Sequence, residues 1–371
     1  MKITDVKTES YIYNVEDVFG SAARWTTQRN VVLVFVETDE GIIGIGEADS
    51  VGSHPRVIAT LIDELKPIIV GRDPFHVEEI WAMLYRQTMF YGRRGMAVAA
   101  ISGIDVALWD LMGKTAKQPV YKLLGGARDK VMVYASQGFY RPGKDVAHYA
   151  EEAVRAKKAG FKAVKLKIGK LSIREDMERV AAVREAVGPD IRVMVDGNFA
   201  YSVKEAIQVA KNLERYDVYF FEEPVWADDI AGSAQVAAST SVSIAGYETE
   251  FTKYGFRELI DARAVDFVQP SLVRSGGFTE CKKIAAYAEA HRIPCVAHSF
   301  TSGWALLANL HFLASINNGD MVEYDQNPYP LRQEIIDQQI LELDSDGLIS
   351  LPDKPGLGAD ICFDKIEKYR V

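Results

Sequence analysis

The chain has 371 residues, 48% of them hydrophobic and 26% charged, an ordinary globular composition with room for one large domain and a smaller one. Its net charge of −9 argues against nucleic acid or an anionic membrane as partner. Cys281, Cys295 and Cys362 form neither a disulfide framework nor a zinc pattern, and no export signal or run of about 18 apolar residues is expected, so the protein reads as cytoplasmic with no membrane span.

Residues 1–50 read as antiparallel β structure. Val31–Val36 and Ile42–Ile45 are apolar strands joined by the turn residues Thr38–Gly41. The stretches Val18–Asn30, with Trp25, and Val51–Pro55, with His54, read as loops. Helical spacing follows in Arg56–Ile69, His76–Gln87 and Met96–Thr115, and residues 1–126 therefore predict an α+β domain.

From Val131 the pattern changes to short apolar strands alternating with amphipathic helices. Strands start near Val131, Ala163, Ile191, Val218, Val242, Asp266, Pro294 and Met321. Eight strand–helix units over residues 127–326 predict a TIM-type barrel, with a doubly wound sheet as the alternative. The polar residues favour the barrel. Lys167, Asp196, Glu222, Glu248, Ser271, His298 and Glu323 fall at successive strand ends in steps of 23 to 29 residues. A barrel gathers its strand ends on one face, where barrel active sites sit. Residues 327–371 are irregular, with short strands predicted at Leu341–Leu343 and Leu348–Leu351, and are expected to return to the N-terminal domain.

Asp196, Glu222 and Glu248 at three successive strand ends repel one another and call for a cation. An all-oxygen ligand set without cysteine suits Mg²⁺. In Ala163–Gly169, Lys165 and Lys167 point to the same face of a buried strand, where each should lower the other's pKa and so produce a base. His298 stands across the barrel as a second proton-transfer group. Glu323, if protonated in a dry site, would donate to a developing oxyanion. A metal, a lysine base and a histidine around a carboxylate substrate suggest abstraction of its α-proton through an enediolate.

Lys165-Leu-Lys167, Asp196-Gly-Asn198, Glu222-Glu-Pro224, Gly246-Tyr-Glu248 and His298 together resemble the enolase superfamily, in its mandelate racemase-like group with the acid-sugar dehydratases. The resemblance covers nearly the whole chain. It implies a (β/α)7β barrel under an α+β capping domain built from the N-terminal part and the C-terminal tail. It implies one Mg²⁺ per subunit on Asp196, Glu222 and Glu248, with Lys167 and His298 acting on opposite faces of a small carboxylate substrate. It makes Lys165, Asn198 and Ser136 substrate contacts, places specificity in loops near Trp25, His54 and Tyr140, and carries an expectation of a homo-oligomer. Arg24, Arg29 and Arg141 read first as surface arginines, with contact to a second substrate charge as the alternative. One position departs: Ser271 stands where the group has an aspartate paired with the histidine. A serine fixes the imidazole tautomer weakly and does not raise its basicity. That favours dehydration of a sugar acid to a 2-keto-3-deoxy acid over a symmetrical racemase. The alternatives are a racemase, epimerase or cycloisomerase of a carboxylate or amino-acid derivative, and a catalytically decayed relative that binds a metal and an acid.

Overall fold

A computed structural model describes residues 1–50 and 52–371; the Val51 end of the predicted 51–55 loop lies outside the described residues. The first 50 residues form an antiparallel sheet of β1 (Ile3–Gly20), β2 (Trp25–Thr38) and β3 (Ile43–Ala48), in that order. The hairpin is longer than the sequence pattern predicted. Val18–Gly20 and Trp25–Asn30, expected as loop, are strand, with Gly20 opposite Trp25 and Asn14 opposite Gln28. Their residues lack apolar alternation because this end of the ribbon leans over a polar cavity instead of a hydrophobic core.

Helices α1 (Pro55–Ile69), α2 (Val77–Thr88) and α3 (Met96–Ala116) cover this sheet, followed by a single turn, α4 (Val120–Leu123). By length and composition α3 could cross a membrane, contrary to the expectation from the sequence, but its residues are buried inside the protein. A helix apolar all round needs cover all round. The sheet supplies one side: any side chain at Gly44 or Gly46 would strike the α3 backbone.

The barrel strands are β4 (Lys130–Ser136), β5 (Ala163–Lys167), β6 (Arg192–Asp196), β7 (Val218–Glu222), β8 (Ser243–Gly246), β9 (Phe267–Val268), β10 (Cys295–Ala297) and β11 (Gly319–Asp325). They pair in parallel in chain order, and β11 closes on β4. The helices between them are α5 (Val146–Lys158), α6 (Ile173–Val187), α7 (Val203–Leu213), α8 (Ile230–Ala237), α9 (Thr252–Asp261), α10 (Gly277–Ala290) and α11 (Gly303–Ala314). Ser172 and Ser202 start α6 and α7 with complete capping boxes, which fixes where the loops after β5 and β6 end.

The two domains meet around the start of α10. Trp81 donates to the Gly276 carbonyl at 2.9 Å, Ser102 accepts from Gly276 N at 2.8 Å, and Asp105 accepts from Thr279 N at 3.0 Å. Asp49, just past β3, donates its backbone N–H to the Val273 carbonyl at 3.0 Å. The cap is thereby held over the loop that carries Ser271. The C-terminal tail serves both domains. Its strand β12 (Leu348–Ser350) pairs antiparallel with β4 of the barrel, and Val371 N donates to the Ser10 carbonyl of β1. Leu341–Leu343 is not the predicted strand: Gln338–Leu341 is a 3₁₀ turn, and Leu343 makes one bridge to Ile349.

Candidate active site

Strand alternation delivers the first charges. Ala163, Lys165 and Lys167 share one face of β5, and β6, β7 and β11 bring Asp196, Glu222 and Glu323 to the same end of the barrel. All five charged side chains are buried. Lys165 Nζ lies 2.7 Å from Glu222, 3.0 Å from Glu323 and 3.8 Å from Asp196. Lys167 bonds directly to Asp196. Gln269 adds an N–H to Glu222 at 2.8 Å.

This arrangement corrects the lysine argument. Burial alone would lower both ammonium pKa values, but Glu222 and Glu323 hold that of Lys165 well above the usual lysine value, and Asp196 raises that of Lys167. The lysines do repel, as expected; the surrounding carboxylates outweigh them. Glu323 is corrected too. Burial pushes its pKa up, but Lys165 and His298 bring it down to about 2, so it is an ionised acceptor, not a proton donor.

His298 follows β10. Its Nε2 lies 2.9 Å from Glu248 and 3.5 Å from Glu323. One ligand atom from each of Glu248, His298 and Glu323 lies within 4.8 Å of the others. Ser271 is buried, and among the described residues neither its Oγ nor His298 Nδ1 has a hydrogen-bond partner. The expected weak tautomer-fixing bond from Ser271 is therefore not formed.

Two groups escaped the sequence reading. Glu223, next to Glu222, should face away by strand alternation, but its backbone is left-handed at φ 45°. Its carboxylate accepts from Glu248 N at 3.1 Å and from Asn198 Nδ2 at 3.4 Å. Arg274, one turn after Ser271, donates to Asp49 at 2.7 Å, to the Glu248 carbonyl at 3.0 Å and to its carboxylate at 3.4 Å. The adjacent acid in Glu222-Glu223-Pro224 was visible in the sequence; nothing marked Arg274.

The donor set fits a hard divalent cation. Asp196, Glu222, Glu223, Glu248 and Glu323 outnumber the cations among them. Glu222 is pushed up to about 8, first by burial and then by the Asp196 charge; Glu223 rises well above the usual range, first by burial and then by Glu248. Buried oxygens that resist sharing negative charge are what a magnesium ion relieves. Asp196, Glu222 and Glu248 would hold it.

Lys167, Asn198, Glu248, His298, Glu323 and Phe139 line a cavity of about 240 Å³. A smaller one of about 80 Å³ adjoins it and shares Arg24, Thr26, Glu248, Arg274, His298 and Phe300. Several predicted substrate contacts stand outside both. Ser136 is buried behind Glu323 and donates to it at 2.6 Å. Tyr140 is buried and donates to Asp176 at 2.7 Å. His54 accepts from Arg56 N and caps α1. Trp25 lies beneath the Lys170 ammonium, on the other side of its strand from Arg24 and Thr26. Larger pockets exist, such as one of about 770 Å³ beside Phe90 and Tyr254, but this one holds none of the barrel-end charges.

The mandelate racemase/muconate lactonizing enzyme N-terminal domain is matched by residues 10–125, and the enolase C-terminal domain-like region by residues 148–365. The chain belongs to the mandelate racemase group of the enolase superfamily. Within this superfamily it is 40% identical over 340 residues to arabinonate dehydratase of Saccharolobus solfataricus, covering 92% of this chain and 90% of that one. It is 36% identical over 381 residues to D-galactarolactone cycloisomerase of Agrobacterium fabrum, covering 100% and 99%. A racemase from Streptomyces coelicolor A3(2), solved with bound magnesium, superposes with a TM-score of 0.91 at 30% identity over the full length of both chains.

Proposed function

We propose that this protein removes the α-proton of a sugar acid with Mg²⁺ and then expels the β-hydroxyl as water, giving a 2-keto-3-deoxy acid. The observation that carries this reading is the lining of one cavity: Lys167 on β5 and His298 beyond β10, with β11 and β4 between them, and unpaired polar atoms around them. Asn198 Oδ1 and Thr249 Oγ1 in that cavity are buried without partners among the described residues. A buried polar atom without a partner is costly, and the hydroxyls of a polyol acid would satisfy these.

Bound Mg²⁺ supplies charge neutralisation for the carboxylates and polarises the substrate carboxylate. With Asp196 and Glu222 so engaged, burial and the Lys165 ammonium, which lower the pKa of Lys167, are opposed by Glu323 alone among the groups that raise it. Lys167 takes the proton from C2. Lys165 donates to the oxygen on which charge develops. The C3–O bond breaks, and a proton held at His298 Nε2 leaves with the hydroxide as water. The enol product then tautomerises to the ketone. Glu323, fixed by Ser136, keeps Lys165 and His298 in place.

The second reading is cycloisomerisation, favoured by the full-length likeness to the galactarolactone cycloisomerase. It keeps the proton abstraction and expels a ring oxygen in place of hydroxide. Incubation with Mg²⁺ and a panel of aldonic acids, aldaric acids and their lactones in D₂O, followed by proton NMR, separates the two. A 3-deoxy-2-keto product from an open-chain acid is the expected result. Turnover confined to lactones moves the assignment to cycloisomerisation. Deuterium at C2 without a new product moves it to epimerisation, and no exchange with any member removes the sugar-acid reading.

A further inference from the structure

The roof of the cavity differs in chemistry from its floor, and one cation in it has nothing to do in the free protein. Thr26, Gln28 and Asn30 alternate along the start of β2 and, with Arg24 just before it and Arg29, line the smaller cavity. Gln28 and Asn30 are already engaged, with Asn14 at 3.0 Å and with the Ser53 carbonyl at 3.0 Å. Three other arginines near the roof are also committed. Arg29 is buried, bonds to Asp325 and the Phe300 carbonyl at 2.5 Å each, and is sandwiched between the Phe300 and Tyr329 rings. Arg141 bonds to Asp17 at 2.6 Å and Asn327 at 2.7 Å. Arg274 is held by Asp49. Arg24 lines both cavities, yet among the described residues its guanidinium has no hydrogen-bond or ion-pair partner. It lies against Gly52, where any side chain would collide with it, so the turn before β2 and the loop before α1 together place it at the mouth.

We propose that Arg24 binds a second carboxylate, so that the preferred substrate is an aldaric acid, with one carboxylate at each end. This rests on the sugar-acid reading above. An arginine offers a planar pair of N–H groups that matches a carboxylate, and the neutral Thr26 and Thr301 lining the same cavity suit the substrate's intervening hydroxyls. The charge balance agrees. The barrel end holds an excess of carboxylates, so a dianion is anchored by a metal at one end and needs its own cation at the other.

The test uses matched pairs that differ only in the terminal group: galactarate with galactonate, glucarate with gluconate, and arabinarate with arabinonate. The last pair is included because the 40% identical relative is named for a monoacid. The wild-type protein should favour the diacid of at least one pair in kcat/KM. Arg24→Met should lower kcat/KM for that diacid by about 30-fold, mostly through KM, and change the monoacid less than about threefold. Arg24→Lys should recover part of the loss. Because Arg24 is exposed, thermal melting of both variants should match the wild type. Preference for the monoacid throughout, or equal losses on both members of a pair, overturns the proposal and leaves the sugar-acid reading standing. No turnover and no C2 exchange with any member sinks the reading and the proposal with it.

Discussion

Two layers inside the barrel are made by the same strands, two residues apart, and are opposite in chemistry. Toward the amino ends, Tyr134, Ala163, Met194, Phe220, Phe267, Val296 and Met321 pack into an apolar plug. One step of two residues further, Ala163 gives way to Lys165, Met194 to Asp196, Phe220 to Glu222, Val296 to His298 and Met321 to Glu323. Both layers are buried. The plug gains from burial, because apolar area leaves water. The charged layer is held in spite of burial, by lysine–carboxylate pairs that leave Glu222 and Glu223 short of positive charge. The fold thus supports, with a rigid apolar base, a layer that would be stabilised further by a cation.

Three substitutions would break or sharpen this contrast. The largest effect is expected at Lys167. Lys167→Met should reduce C2 hydrogen exchange by about 10³-fold or more, the range set by losing a positioned general base; exchange within tenfold of wild type would remove Lys167 from that role. In the plug, Phe220→Ala should lower stability by about 3–5 kcal/mol in denaturant unfolding while leaving kcat per folded molecule unchanged. A loss of kcat there would mean that the layers are coupled and not merely stacked.

The third effect, at Glu222, has a sign that depends on pH. In metal-free protein its pKa is raised from 4.5 to about 8, by burial first and then by Asp196. Its contribution to stability is full below about pH 4.5 and is lost as pH rises through about 8. Glu222→Gln should flatten that decline in melting temperature, cost little at pH 7, and abolish the rise that Mg²⁺ gives the wild type, a linkage effect of about 3 kcal/mol at a hundredfold excess over Kd. An undiminished Mg²⁺-induced rise would exclude Glu222 as a ligand.

The two-residue step is why so much was legible in the sequence. Apolar strands ending in Lys, Asp, Glu, His and Glu at near-equal spacing specify both the barrel and the face on which its charges meet. What stayed hidden follows from physics that pairwise reading leaves out. Two ammonium groups on one strand face lower each other's pKa, but three buried carboxylates around them outweigh that repulsion. Glu223 escaped notice because strand alternation alone would face it away from Glu222, whereas its left-handed backbone turns the chain at the strand end. Trp25–Asn30 carries no apolar alternation, since the side facing inward meets a polar cavity. Ser136 and Tyr140, expected as substrate contacts, each hold a carboxylate, Glu323 and Asp176, in place.

The Arg29 latch has a consequence for how this protein can diversify. Because Arg29 is pinned between two rings and Asp325, β2 is indexed to the barrel at a fixed residue, and even-numbered positions before it form the cavity wall. Extra residues inserted in the turn at 21–23 leave that index intact. A single residue inserted between Thr26 and Arg29 would exchange the parity of the residues before it: Trp25 would turn inward and Arg24 outward, with every proton-transfer group untouched. Lineages of this chain can therefore rewrite what they accept by counting residues in one hairpin, leaving the way they move protons inherited and unedited.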